Sequence, residues 1–150
     1  MTALSAAAAA ELVRSAPEVR VVALSQIERW FRRKLEREVV RLTGMVTIGY
    51  EYNRVVGPRS IYARVSILVT PSDDFVFESS VQWPGMGNHD DLILDGILDA
   101  LFGWEFGLLV ARFELVDVGY DPVHSAPIAY YWAAKRAVHS LLMEQVSRDE

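Results

Sequence analysis

Residues 61–81 read IYARVSILVTPSDDFVFESSV and carry the pattern that decides the fold. Apolar side chains occupy every second position of the first half, at Ile61, Ala63, Val65, Ile67 and Val69. After the turn-forming segment TPSDD, apolar side chains recur at Phe75, Phe77 and Val81. Successive side chains of a strand point to opposite faces, so this period of two predicts two strands, 61–69 and 75–81, each with one face in a core.

The segments on either side extend this pattern to a complete domain. Alternating apolar residues predict further strands at 46–52 and 109–118. Apolar spacings of three and four predict helices at 92–102 and 128–146. In the last helix the residues expected to face inward are Ile128, Trp132, Val138, Leu142 and Val146. The order of the predicted strands and helices along the chain favours an α+β fold. This fold has one four-stranded sheet, with both helices packed on the same face.

A further helix is predicted before the first strand, over residues 24–43. Its apolar positions recur at three and four, at Leu24, Ile27, Phe31, Leu35, Val39 and Leu42. Gly44 ends the run, and residues 1–23 are expected to form an N-terminal arm or a loosely docked helix. The domain organisation is therefore 1–23, 24–43 and 44–150. We expect the apolar stripe of 24–43 to be buried on the sheet or against another chain.

The amino-acid composition excludes two classes of protein. The chain has 150 residues, of which 51% are hydrophobic and 11% aromatic, enough to bury a core and to exclude a disordered chain. Residues 44–150 carry 7 bases and 15 acids, which excludes coating of bulk nucleic acid. The absence of cysteine and of a signal peptide or membrane-spanning pattern at the N-terminus favours a cytoplasmic protein that makes no membrane contact.

Three glycine-containing segments lack the spacing and lysine of a phosphate-binding loop, namely GPRS, PGMGN and GWEFG. A GTPase on this chain is thereby excluded, and no nucleophile and base occur in a recognisable arrangement. His89, Asp90, Asp91 and Asp95, joined by His124, suggest a metal or hydrolase site. Carboxylates near a helix start and at spacing four are more often a solvated face, and we prefer that interpretation.

A basic strip is formed by arginines at spacing four, Arg29, Arg33, Arg37 and Arg41. Such a strip suits phosphate or an acidic partner. Because Glu28, Glu36 and Glu38 are interleaved with it, a solvated helix face is the preferred alternative.

Four segments taken together resemble domain IV of translation elongation factor G, and most of all that of the tetracycline ribosomal protection proteins. They are TGMVTIGYEY, GPRSIYARVSILVTPSDDFVFESSVQW, LDGILDALFGWEFG and VGYDPVHSAPIAYYWAAKRAV, and they cover about residues 43–142. The most specific pieces are FESSV, DGILDALFGW and the loop with Tyr120, Pro122, Val123 and Ser125. The preceding IERWFRRKLERE is similar to the domain III helix that leads into domain IV.

The resemblance implies a two-layer sandwich like ribosomal protein S5 domain 2, in β-β-β-α-β-α order with a left-handed βαβ crossover. It also implies that the loop 120–125 is a tip that enters the decoding centre of the small ribosomal subunit. Tyr120 would stack on a base or ribose, Asp121, His124 and Ser125 would hydrogen-bond base edges, and Pro122 and Val123 complete the tip. The neighbouring tip would consist of Trp83, Pro84, Met86, Asn88 and His89. Asp121 and His124 depart from the family pattern.

The function expected from this resemblance is a stand-alone, non-catalytic module without a cofactor that binds the ribosomal decoding region or mimics part of a tRNA. Its partners would be the ribosome or ribosomal RNA, with a separate GTPase or protein partner as a further expectation. The alternative is a protein–protein interaction module that keeps the fold without the ribosome and forms homo-oligomers through the helix 24–43. An enzyme on the same fold class is the third choice. For the loop itself, the alternative is a helix cap, with Ser125 as N-cap and Pro127 in the first turn.

Overall fold

The computed structural model describes residues 21–85 and 87–148. Its elements are α1 (Val21–Leu35), β1 (Val39–Arg41), β2 (Val46–Val56), β3 (Arg59–Pro71), β4 (Val76–Ser79), α2 (Asp90–Gly103), β5 (Leu108–Gly119) and α3 (Pro127–Arg148). The chain divides into two units after Glu38, and α1 is the described element of the first. The predicted N-terminal arm lies outside the described residues, except that 21–23 begin α1.

The helix predicted over 24–43 is wrong at its C-terminal end. Helix α1 ends at Leu35, and Val39–Arg41 instead forms β1, which pairs with β5 in parallel. Valine is β-branched and suits a strand, and the open edge of β5 supplies the hydrogen-bond partners that a strand needs. The second unit therefore begins at Val39 and not at 44.

Strands β2 and β3 form an antiparallel hairpin, with Val46 opposite Val69 and Val56 opposite Arg59. The two-residue turn between them contains Gly57, whose φ of 61° lies in the left-handed region that glycine adopts without strain. On its other side β3 pairs with β5, also antiparallel, and the register shifts between Ser66 and Ile67. The shift is a β-bulge, in which Val116 of β5 has no partner residue on β3.

The second edge of β5 is covered by two short parallel strands placed end to end. Strand β1 pairs with residues 108–110 of β5, and β4 pairs with residues 112–115. The sheet thus has five strands where four were predicted, because β1 was read as helix. The predicted strand 75–81 is present but shorter, as β4.

The core lies between the sheet and the two helices α2 and α3. Buried residues alternate along β3, at Ala63, Val65, Ile67 and Val69, and along β5, at Leu109, Ala111, Phe113 and Leu115. They pack in one cluster with the buried faces of both helices. This arrangement confirms the predicted α+β two-layer sandwich, and its strand and helix order from β2 onward agrees with β-β-β-α-β-α. The left-handed crossover stays a prediction.

Helices α2 and α3 approach each other closely at Gly96. A Cβ atom at this position would lie 2.4 Å from the carbonyl oxygen of Tyr131, so only glycine fits. Each helix follows one of the parallel strands β4 and β5, and both helices therefore start at the same end of the sheet.

Among the described residues, no helix has the length and apolar character required to cross a membrane.

Candidate nucleic-acid interface

Three connections meet at one end of the domain. Strands β4 and β5 are parallel, so the loops that follow them leave the sheet on the same side. Strand β3 is antiparallel to β5, with Arg64 opposite Gly119, which brings the β2–β3 hairpin to that side as well. We call this surface the tip end, and define it by the hairpin 54–59 and the loops 83–89 and 120–125.

The loop 120–125 holds its shape through bonds around Asp121. One carboxylate oxygen of Asp121 accepts hydrogen bonds from the backbone N–H groups of Val123, at 2.8 Å, and His124, at 3.2 Å. These two bonds, that of Val123 first, lower the pKa of the Asp121 carboxyl. The backbone N–H of Asp121 in turn donates to the Ser125 hydroxyl at 2.8 Å. The Asp121 carboxylate therefore stabilises the loop by accepting hydrogen bonds from the loop's own backbone.

The same loop is attached to the start of β3 and to the end of β5. The backbone N–H of Tyr62 donates to the carbonyl of His124 at 3.0 Å, and Tyr62 forms a parallel bridge with Ser125. The buried Tyr130 hydroxyl donates to the carbonyl of Gly119 at 2.9 Å. Burial is the main cause that raises the pKa of Tyr130. Hydrogen bonds to residues distant in sequence thus add to the hydrogen bonds within the loop.

The alternative interpretation of this loop as a helix cap is confirmed for Pro127 and is wrong for Ser125. Pro127 is the first residue of α3, where its fixed φ suits a helix start. Ser125 lies two residues earlier, and its hydroxyl accepts a bond from Asp121 rather than from the first turn of the helix. Ser125 closes the loop and is not the N-cap.

The exposed side chains of the loop are Pro122, Val123 and His124, and Val123 is 81% exposed. Tyr120 is less free, at 36%, because its ring lies against Gly85 in the neighbouring loop. A Cβ atom at Gly85 would stand 2.7 Å from the Tyr120 ring. Tyr120 therefore joins the two loops, and the stacking role expected of it stays a prediction.

The loop 83–89 is held at both ends by Asp90. The Trp83 indole N–H donates to the Asp90 carboxylate at 2.9 Å, as does the Ser79 hydroxyl. The backbone N–H of Asp90 donates to the side-chain oxygen of Asn88 at 2.8 Å. Of the other residues predicted for this tip, Pro84 is exposed, and Met86 lies outside the described residues.

A small aromatic cluster supports both loops. Trp83 meets Tyr130 edge to face at 5.0 Å between ring centroids, and His89 stacks on Tyr130 at 5.3 Å. Tyr130 is fully buried and also bonds to Gly119, so one side chain links β5, α3 and the loop 83–89. The predicted tip and its neighbour are thus brought together on a common base.

The metal alternative finds no support in the part of the chain that the structure describes, since no group of three potential ligands is assembled there. His89 is engaged in the aromatic cluster, and Asp90 accepts two hydrogen bonds. Both residues therefore have structural contacts that account for their positions.

The hairpin was not among the predicted site residues, yet it brings positive charge to the tip end. Arg54 and Arg59 are exposed, and within the described residues no hydrogen bond or ion pair engages either side chain. Arg64 is different, because its guanidinium donates to Asp117 at 2.9 Å, and this bond raises its pKa. The signal was present in the sequence: no acidic residue occurs between Glu51 and Asp73.

The arginines of the predicted basic strip do not lie on one helix. Arg29 lies on α1 and donates to Gln26, and Arg37, past the end of the helix, donates to the carbonyl of Arg33 at 3.3 Å. Arg41 belongs to β1 and contacts Ser72 and Asp73. The prediction of four aligned arginines is wrong because the helix ends at Leu35.

Comparison with known proteins adds information on the fold alone. The structure is similar to the crystal structure of a protein from Thermus thermophilus, with a TM-score of 0.63 and 19% sequence identity. The likeness covers 72% of this chain and 17% of the Thermus protein, so this chain spans a small part of that protein's length. No protein-family model and no curated protein matches the sequence.

Proposed function

We propose that this protein is a stand-alone module like domain IV of elongation factor G, which binds the decoding region of the small ribosomal subunit through its tip end without catalysis. The sequence resemblance motivates the choice of partner. The observation that carries the proposal is the convergence of the hairpin 54–59 and the loops 83–89 and 120–125 at one end. Whole-factor activities such as translocation are not part of the proposal.

The loop 120–125 is suited to RNA because it is already ordered. The two backbone bonds to Asp121 and the bridge to Tyr62 fix the conformation before any partner arrives. A preorganised loop loses less conformational entropy on binding. The Asp121 carboxylate accepts bonds from its own backbone, which reduces the repulsion that an outward-facing anion would cause near phosphates.

The charges of the tip end support the same partner. Arg54 and Arg59 supply two exposed guanidinium groups near the bridge at Tyr62. Arg59 lies three residues, or about 10 Å, along β3 from Tyr62, and Arg54 is opposite Ile61, one residue from Tyr62, at a strand rise near 3.3 Å per residue. Guanidinium groups bind phosphate in a bidentate manner, while His124 offers a ring for stacking or base-edge contact. The tip end thus combines backbone-binding and base-binding groups.

Binding to purified small ribosomal subunits over a salt series tests this proposal. The parent protein should bind, and Arg54→Gln with Arg59→Gln should weaken binding and reduce the slope of log K against log salt by about 1 to 2. The matched control is Arg136→Gln, an exposed arginine on α3 outside the tip end, which should leave the slope unchanged. The tip variant removes two charges and the control one, so an equal effect per charge removed would show that only net charge matters.

His124→Ala tests the base contact separately from the phosphates. It should weaken binding by about 1 to 3 kcal/mol, the range for loss of a base stack, with no change in the salt slope. Tyr120 is kept intact because its ring supports Gly85 in the neighbouring loop. Absence of binding by the parent protein, even at low salt, would reject the function itself.

A further inference from the structure

A shallow groove of about 380 Å³ runs between α2 and α3 on their outer side. Its walls combine apolar side chains with two carboxylates, and consist of Leu92, Asp95, Leu98, Asp99, Ile128 and Tyr131. Ile128, a large apolar residue in the first turn of α3, is 48% exposed. The groove shares no residue with the hairpin and loops that define the tip end.

The groove has a marked negative character. Helix α2 carries Asp90, Asp91, Asp95 and Asp99 and no basic residue. The Tyr131 hydroxyl donates to Asp99, while Asp95 remains exposed at the rim. On α3, the Lys135 ammonium lies over the Tyr131 ring, at 5.7 Å from the ring centroid. An occupant of this groove should therefore be both apolar and basic.

Helix α1 has that combination. Ile27, Phe31 and Leu35 recur at spacing four and form an apolar row along one face. At 3.6 residues per turn, Arg32 and Lys34 stand roughly 100° and 60° to either side of Phe31 and flank the row. Leu35 at the end of the row is 46% exposed. The last turn of the helix is entirely basic apart from Leu35, with Arg32, Arg33 and Lys34.

The dimensions agree as well. The apolar row from Ile27 to Leu35 is about 12 Å long, and the wall that α2 gives the groove, from Leu92 to Asp99, is about 10 Å long, at 1.5 Å per residue. Asp95 and Asp99 are one helical turn apart, so a basic helix laid along α2 can meet carboxylates on successive turns. An amphipathic helix laid in an apolar groove is a common mode of recognition.

We propose that α1 of one copy docks in the α2–α3 groove of a second copy, and that the two copies do so reciprocally to form a dimer. The apolar row enters the groove between Leu92, Leu98 and Ile128, and the flanking base that lies on the α2 side of the row reaches Asp95 and Asp99. A reciprocal contact of this kind is closed, so association stops at two copies. The inference does not depend on RNA binding.

A charge exchange tests the proposal on the full chain. The first variant is Arg32→Glu with Lys34→Glu, and the second is Asp95→Lys with Asp99→Lys. The parent protein should sediment at twice the 16.9 kDa of one chain at high concentration. Each variant alone should be monomeric or should raise the dimer dissociation constant at least about tenfold, because like charges then face each other.

The decisive measurement is made on a mixture of the two charge-reversed variants. In a mixed dimer the acidic α1 of the first variant meets the basic groove of the second, and the parental α1 meets the parental groove, so both contacts are restored. We expect the 1:1 mixture to regain the dimer. The single chain with all four changes should also dimerise.

Matched controls change the same charges elsewhere. Asp73→Lys with Asp74→Lys, in the β3–β4 turn, and Arg54→Glu with Arg59→Glu, in the hairpin, should leave the dimer intact. If the lysine variant of the groove fails to fold, Asp95→Asn with Asp99→Asn takes its place and should still weaken the dimer. A parent protein that is monomeric at all concentrations, or variants that do not recover on mixing, would overturn the proposal.

Discussion

Gly96 offers a direct test of how closely α2 and α3 pack. In Gly96→Ala the new methyl group would lie 2.4 Å from the Tyr131 carbonyl oxygen and 3.1 Å from the Lys135 nitrogen. Both are backbone atoms of α3, so relief requires the helices to separate rather than a side chain to rotate. Overpacking of this kind costs about 1 to 3 kcal/mol, and the better helix propensity of alanine returns about 1 kcal/mol. Since backbone is involved, we take the upper end and expect a net loss of about 2 kcal/mol.

The assay is urea and thermal unfolding followed by far-UV circular dichroism. For a chain of this size, a loss of 2 kcal/mol lowers the melting temperature by about 4 to 8 °C. Gly103→Ala is the control, because the last residue of α2 has nothing within 4 Å of a new Cβ atom. It should change the free energy of unfolding by less than about 0.5 kcal/mol. If Gly96→Ala is as stable as the parent protein, the close approach of the two helices is wrong.

Three further predictions concern hydrogen bonds. The lowered pKa of Asp121 means that its contribution to stability is present above the ordinary aspartate pKa of 3.8 and is lost as pH falls through the lowered value. Acid unfolding of Asp121→Asn should therefore show a smaller loss over that range than the parent. The hydrogen bond to Asp99 raises the pKa of Tyr131 to about 12, so its stabilising effect is full below about pH 10 and disappears as pH rises through 12. Tyrosinate absorbance should show late titrations for Tyr130 and Tyr131, of which Asp99→Asn moves only that of Tyr131 earlier. Tyr130→Phe, which removes the buried bond to Gly119, should cost about 1 kcal/mol in urea unfolding.

The strands were predictable because their side chains alternate in burial. Ala63, Val65, Ile67 and Val69 are all buried, and the sequence alternates at the same positions. The short strand β1 was missed because Val39, followed by Leu42, continues the helical spacing that began at Leu24. Its pairing with Leu108 and Leu109, nearly seventy residues away, decides its structure, and no local period contains that information.

The last helix was placed correctly but its buried face was only partly predicted. Val138 and Leu142 are buried as expected, whereas Ile128 is 48% exposed. The inner face consists largely of alanines, at Ala129, Ala133, Ala134 and Ala137. Small residues allow α3 to approach α2 and the sheet closely, and a search for large apolar residues overlooks them.

The candidate site, like the fold, was predictable from the sequence only in part. The order of residues in the loop 120–125 indicated a stiff turn, and the bonds to Asp121 agree with that interpretation. The position of Gly85 under the Tyr120 ring could not be derived, because it depends on how two loops meet. Nor could the arrival of Arg54 and Arg59 at the same end, which follows from the register of β3 against β5.

Chemical probing of small-subunit ribosomal RNA in the presence of the protein tests the central claim most directly. At a concentration that saturates binding, the tip end should protect nucleotides of the decoding region. These protections should disappear when Arg54→Gln, Arg59→Gln and His124→Ala are combined, while Arg136→Gln retains them. Protection confined to other regions of the RNA, or a pattern unchanged by the combined tip variant, would contradict the account.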